Sequence, residues 1–560
     1  MVHLSWISRC LTLVAGGILL FSSASCSFTS ALKFDENGNS NLNEEIAPPP
    51  GPGNPQIRFL NAREYKNSVN KILGVFVTTT LEFGATRNGF ETSADGQIDQ
   101  GLLSALLDEA QSLANNYVET RLEADFTCAY NEGSDEGCIK SLIVKYGTKF
   151  FRRPVTPGEL NSLYDYFRAR ELEDGHRTAL KHLFARFLIS PSFLYRTEVG
   201  KLSADNQIRQ LDQFEIASLL AFTLTATTPD DLLLDDAYKA KLDADGIRSH
   251  VRRLLKTSDG RNSIVRFMKQ WLKLDNLDDM FRNPARYPKL ASPEQAYTLK
   301  REFEMFVKDV VLDGEGSLRS ALTESITYID RHTAYLYGLS SNSDSLERVT
   351  LDKSRRSGIL TLASVMASHG SSSDINRDRP VQRGTLILEK VLCGDVGIPS
   401  GLDVVTAGNQ AAAKVPNFHE LTTREQFEIV MQQSETCIAC HQTFMPFGYV
   451  LGNYNALGQF VTESRGRHID VSVSNVPLGP SKKSFSGPMT FIEDLAAEER
   501  VYKCFAKQMA KYITGAESDA VQAMSLYFHM GFKRKKYDIK SLLEDFFAEE
   551  YLYRRKVLSQ

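Results

Sequence analysis

The sequence predicts a mainly α, multi-module protein with minor β, and three observations carry that prediction. From about residue 57 onward, apolar residues recur three and four positions apart with polar residues between them, the period of a helix that buries one face. Strand-like alternation is confined to a short stretch near residues 470–476, so any sheet is small. The chain has 560 residues, 42% hydrophobic and 24% charged, an ordinary globular composition that excludes a wholly disordered or fibrous protein. At roughly 150 residues per domain, that length holds about three or four modules.

Residues 1–26 are read as an address label. Arg9 gives a weakly positive start, an apolar run covers residues 11–21, and Ser23-Ala24-Ser25 leads into Cys26. This resembles a bacterial lipoprotein signal with a lipobox, in which Cys26 is lipidated and becomes the new N-terminus. A plain secretory peptide cleaved near Ala24 is the alternative. Residues 27–56 read as a disordered tether, rich in Asn, Glu, Ser, Pro and Gly, with too little apolar surface to order itself.

The helical elements then follow in order at 65–73, 102–118, 139–151, 157–168, 177–189, 214–223, 247–255, 263–274 and 295–312. Thr156-Pro157-Gly158-Glu159 has the form of a helix start, with a Thr cap, Pro in the first turn and Glu at the third helical position. These elements are grouped as N-terminal helical modules at 57–200 and a central helical module at 201–340. A haem-bearing module at 341–480 and a C-terminal helical module at 481–560 complete the expected order. No Gly-rich nucleotide loop, GxSxG or HExxH pattern occurs anywhere. With 65 Lys plus Arg against 69 Asp plus Glu the net charge is −4, so no nucleic-acid partner is expected.

One motif carries chemistry: Cys437-Ile438-Ala439-Cys440-His441. C-x-x-C-H is the attachment signature of c-type haem, in which two thiols bond the porphyrin and the adjacent imidazole is the proximal iron ligand. The expected cofactor is therefore one covalent haem c held by Cys437, Cys440 and His441. An exported chain suits that reading, whereas a second C-x-x-C to complete a zinc cage is missing. For the sixth ligand Met489 is the first candidate and His369 the alternative, with His468 and Met509 as further competitors. Met445 lies too close in sequence to reach the opposite haem face. Arg377, Arg379 and Arg383 are candidates to neutralise haem propionates, and Tyr449, Tyr454 and Phe460 to wall the haem.

Of the eight cysteines, Cys10 and Cys26 belong to the leader and Cys437 and Cys440 to the haem. Cys128, Cys138, Cys393 and Cys504 remain, enough for two disulfides with three possible pairings. Cys128–Cys138 closes a short polar loop and is the natural local pair. Cys393–Cys504 then brackets the haem segment, a long loop worth about 4 kcal/mol in the chain-entropy account.

At these residues a family pattern emerges. Residues 437–458, CIACHQTFMPFGYVLGNYNALG, resemble the haem-bearing segment of the Planctomycete cytochrome C family with its associated domains of unknown function, which reads CxxCHxxxDPxGFxLENFDxxG. Residues 59–74 resemble the opening of that family, 150–159 with 190–198 its second module, and 211–234 its third. Residues 358–392 lead into the cytochrome-like module, and 502–515 with 551–555 resemble the last one. Met445 stands where the family has Asp, and Thr225 lies near a Trp-like position. The resemblance implies an exported protein with a cytochrome c-like haem module, and only Cys437, Cys440 and His441 carry over as functional residues.

The expected function is electron transfer by a lipid-anchored, c-type cytochrome-like protein in the bacterial cell envelope, on the periplasmic or outer-membrane face. It would meet a redox partner protein and the membrane through its N-terminal lipid. Two other readings stay open from the sequence: a haem-dependent or polymer-acting extracytoplasmic enzyme, and a surface scaffold lipoprotein.

Overall fold

Several of the longer helices begin where a side chain satisfies the free amides of the first turn. The hydroxyl of Thr156 accepts from the Glu159 amide while the Glu159 carboxylate accepts from the Thr156 amide at 2.9 Å, so the expected start at Pro157 is met. The same reciprocal cap at Asn61/Glu64 and Ser292/Gln295 starts helices Ala62–Leu73 and Pro293–Phe306 a few residues earlier than their apolar period indicates. The structure is a computed structural model and describes residues 50–77, 89–93, 98–131, 133, 135–274, 292–370, 374–396, 413, 415–432, 438 and 441–558. Cys26, the leader and all but the end of the tether lie outside the described residues, as do Cys437 and Cys440.

Residues 47–560 form one unit, mainly helical, with five small sheets among the described residues. Its first apolar core lies among helices Gln100–Thr120, Glu136–Phe151 and His176–Leu188, where the Tyr117, Tyr146 and Phe184 rings meet edge-on. A second and larger core joins Phe90 to residues from Leu211 to Tyr553. Helix Gln213–Thr225 is the seam: every residue from Ile216 to Thr225 is buried, and Phe222 packs in the first core while its neighbours pack in the second. A helix that is apolar around its whole circumference has to be enclosed in this way.

Two expectations change. The periodic run 295–312 is not one α-helix: it ends at Phe306 and continues as a π-helical turn, Val307–Asp313. Val307, Val310, Val311 and Leu312 are all buried there, a wider apolar arc than a 3.6-residue stripe provides. Strands are also more numerous than alternation indicated. Val473–Val476 pairs with Lys483–Phe485 near the expected stretch, but Gln56–Phe59 also pairs with Tyr195–Glu198, and Ile326–Ile329 with Glu347–Thr350. Each has four residues or fewer, too short for a period of two to register.

The far end of the chain returns to its middle. Arg554–Lys556 pairs antiparallel with Ile208–Gln210, and Arg555 also bridges Gly53. Beneath these strands the Glu198 carboxylate accepts from Arg58 at 3.1 Å and from Arg555 at 3.0 Å, and all three side chains are buried. Burial opposes the Glu198 charge, yet Arg58, Arg555 and Arg196 outweigh it and hold the acid below its ordinary value. Cys128–Cys138 and Cys393–Cys504 are disulfides, with Cα separations of 6.2 and 5.3 Å, the two pairs expected. Among the described residues no helix is long and apolar enough to cross a membrane.

Candidate functional site

The stretch after the C-x-x-C-H motif is fixed by backbone packed on backbone. Helix Met445–Tyr449 crosses helix Pro380–Thr385 so closely that a Cβ on Gly448 would stand 2.0 Å from the Pro380 carbonyl oxygen. A Cβ on Gly384 would stand 2.3 Å from the Phe444 oxygen, so both positions need glycine for the approach itself. Phe447 then packs on Phe491 of helix Pro488–Ala497, with ring centroids 6.0 Å apart.

Arg383 fastens this layer. Its side chain is fully buried and donates to the carbonyls of Tyr454 at 2.6 Å, Asn455 at 2.9 Å, Leu451 at 3.1 Å and Met366 at 3.4 Å. Burial lowers its pKa to about 10, with Asp378 opposing the fall. Arg383 is therefore a clamp on carbonyls and not a surface cation awaiting propionates, which corrects the expectation from sequence. Arg377 and Arg379 are exposed.

His441 is half-buried, its ring 5.0 Å from that of Phe444. Burial pushes its imidazolium form down, which favours the neutral imidazole that an iron ligand must be. Its Nδ1 is buried with no hydrogen-bond partner among the described residues. The neutral state fits haem ligation; the second hydrogen bond by which a ligating imidazole is commonly oriented is not formed here.

The sixth-ligand candidates separate by environment. Met489 stands in the first turn of helix Pro488–Ala497, partly exposed, on the helix whose Phe491 touches Phe447. His369 is buried at the end of helix Ala363–Ser368, where its Nδ1 donates to the Val365 carbonyl at 3.1 Å. Burial lowers its pKa to about 4, so it is a neutral imidazole whose Nε2 keeps the lone pair. His468 is exposed on a hairpin, and Met509 is fully buried in helix Glu499–Thr514. Met445 is buried beneath the segment. Tyr454 is core, its hydroxyl donating to the Arg355 carbonyl at 2.7 Å, and Phe460 packs edge-on against it.

Sequence reasoning passed over Asp378, since Arg377-Asp378-Arg379 reads as a solvated charge run. Burial raises the Asp378 pKa, and the residue lines a cavity of about 20 Å³ beside Tyr449, Asn455 and Thr423. Polar walls and that volume suit one water molecule. Among the described residues no cluster of three or more His, Cys, Asp or Glu side chains is placed to hold a metal ion.

Comparison with known families matches three segments of the chain. Residues 138–198 match the model described as PSD5, a protein of unknown function (DUF1595), and residues 211–339 match PSD4, a protein of unknown function (DUF1592). Residues 356–464, which span the C-x-x-C-H motif, match PSCyt3, a protein of unknown function (DUF1588). These are domains associated with Planctomycete cytochrome C proteins. No curated protein and no solved structure matches the chain.

Proposed function

We propose that this chain is an exported, lipid-anchored, c-type cytochrome-like protein that holds one covalent haem c and passes single electrons to a redox partner protein. The observation that carries the proposal is Cys437-Ile438-Ala439-Cys440-His441 behind an export-type leader ending in Cys26. Cys437 and Cys440 would hold the porphyrin and His441 the iron, and the bound group would supply one-electron chemistry. Three further facts support this reading. Burial favours the neutral form of His441. Arg383, Gly384 and Gly448 fix the backbone beyond it. The matched segments belong to domains associated with cytochrome C proteins.

The chain's own part in such a reaction is positional. Phe444 packs on the His441 ring and limits its rotation, and the Arg383 clamp keeps residues 451–455 from swinging away. Met489 is the proposed sixth ligand, and His369, a buried neutral imidazole, is the alternative. The anchor at Cys26 would place the protein in the cell envelope.

The test is intact-mass and visible-absorption analysis of the full chain exported from a host competent for cytochrome maturation. The expected mass is chain plus lipid plus one haem, with a low-spin reduced spectrum. A Cys437→Ser/Cys440→Ser double variant should lose covalent haem while keeping both disulfides. A wild-type mass of chain plus lipid alone refutes the proposal.

A further inference from the structure

Away from the haem segment, a cleft of about 540 Å³ opens between the start of the seam helix Gln213–Thr225, the end of helix Glu136–Phe151 and the strand pair Gln56–Phe59 and Tyr195–Glu198. The strands sort their side chains by their period of two. Arg58, Arg196 and Glu198 turn to the buried charge cluster, and Ile57, Tyr195 and Thr197 lie on the other face, where they line the cleft. Phe151 and Phe214 add two further rings to its walls.

The charged groups around this cleft are committed within the chain. Arg152 donates to the carbonyls of Ser192 and Tyr195, both at 2.7 Å, and of Phe193 at 3.0 Å. Arg153 is held by both oxygens of Glu159, at 2.7 and 2.9 Å. Glu215 accepts from the amides of Val199, Gly200 and Asp212 at 2.9–3.1 Å. Asp212 caps the helix by accepting from the Phe214 and Glu215 amides, and Lys201 stands 3.6 Å from it at the rim.

Ser218 differs from all of these. Its side chain lines the cleft, is only 6% exposed, and its hydroxyl is buried with no hydrogen-bond partner among the described residues. Two turns further along the same helix the Thr225 hydroxyl donates to the Ala221 carbonyl at 2.7 Å, the usual way in which a buried helical hydroxyl is satisfied. An unpaired buried hydroxyl costs free energy, and a group entering the cleft can pair with it. An anion would need an uncommitted cation and a cation an uncommitted carboxylate, whereas rings and a waiting hydroxyl suit a neutral aromatic alcohol. The volume lies within the range of clefts that take small organic ligands.

We propose that this cleft binds a small, uncharged phenolic compound, its ring among Phe151, Tyr195 and Phe214 and its hydroxyl paired with Ser218. Saturation-transfer NMR titration of the full chain with para-hydroxybenzyl alcohol tests it. The expected result is saturable binding that stays within about twofold as salt rises, because no net charge is screened. Glucose, which offers hydroxyls without an aromatic face, should not displace the probe. Ser218→Ala should weaken binding by about fivefold while leaving the urea midpoint no lower than that of the wild type, since no bond of the chain's own is lost. Phe214→Leu, which keeps apolar bulk and removes the ring, should weaken it by about threefold. Leu172→Ala, on an exposed helix face outside the cleft, should leave it within about twofold. Absence of saturable binding overturns the proposal, as does a steep loss with salt or displacement by glucose. So does a Ser218→Ala protein that binds as the wild type does, or one whose lowered midpoint shows the hydroxyl to be a structural partner.

Discussion

Replacing Arg383 by Met removes a charge but keeps most of the side-chain volume, and the structure sets the size of the effect. Four hydrogen bonds from a charged, fully buried donor are lost, to Leu451, Tyr454, Asn455 and Met366. At about 1.5 kcal/mol each, the low end for charged donors, they amount to about 6 kcal/mol. Part of that is returned, because the guanidinium no longer has to be kept out of water. The fall of its pKa from 12.5 to about 10 corresponds to about 3 kcal/mol. The expected net loss is therefore about 3 kcal/mol. It should appear as a lower urea midpoint with an unchanged slope, and as faster hydrogen exchange of amides 444–458 than of the remote helix Gln100–Thr120. A variant with the wild-type midpoint and wild-type exchange in that segment would show that the clamp contributes nothing and refute the reasoning.

In haem-loaded protein, Met489→Ala should convert a low-spin spectrum to high-spin while His369→Ala leaves it low-spin; the opposite result moves the ligand to His369. Glu302 is buried and accepts from the Thr327 hydroxyl at 2.8 Å and the Ser364 amide at 2.9 Å. Burial raises its pKa above 4.5, so the folded state binds its proton more tightly than the unfolded state does, and stability falls as pH rises through the raised value. Glu302→Gln should flatten that dependence in urea midpoints measured upward from about pH 4.5, and an unflattened profile counts against it. Removing the Cys393–Cys504 disulfide by double Ala substitution should cost about 4 kcal/mol, and removing Cys128–Cys138 about 3 kcal/mol, following separations of 111 and 10 residues. Equal urea midpoints for both double variants would contradict the loop-length argument.

What could be read in advance follows from which forces are local. Thr156, Pro157 and Glu159 act within one turn, so the helix start they make was legible, and the periodic faces of 139–151 and 177–189 became helices within a few residues. Pairings made by very short strands were not, since Gln56 meets Glu198 and Arg554 meets Gln210 only after the chain has folded back. Arg383 looks solvated beside a charged run, and its burial depends on residues 451–455 arriving to accept its hydrogen bonds. The cysteine pairs were legible by spacing and elimination alone.

The strand Arg554–Lys556 has a consequence for the order in which this molecule is made. Ribosomes deliver the amino end first, so Arg58 and Glu198 exist for most of synthesis without the third member of their triad. Architecture near residue 200 therefore waits for residue 555, and the growing polypeptide has to be kept from misassembling until that residue has been added. Trimming a dozen residues from the tail should injure the opening third of the protein as much as the region beside the cut.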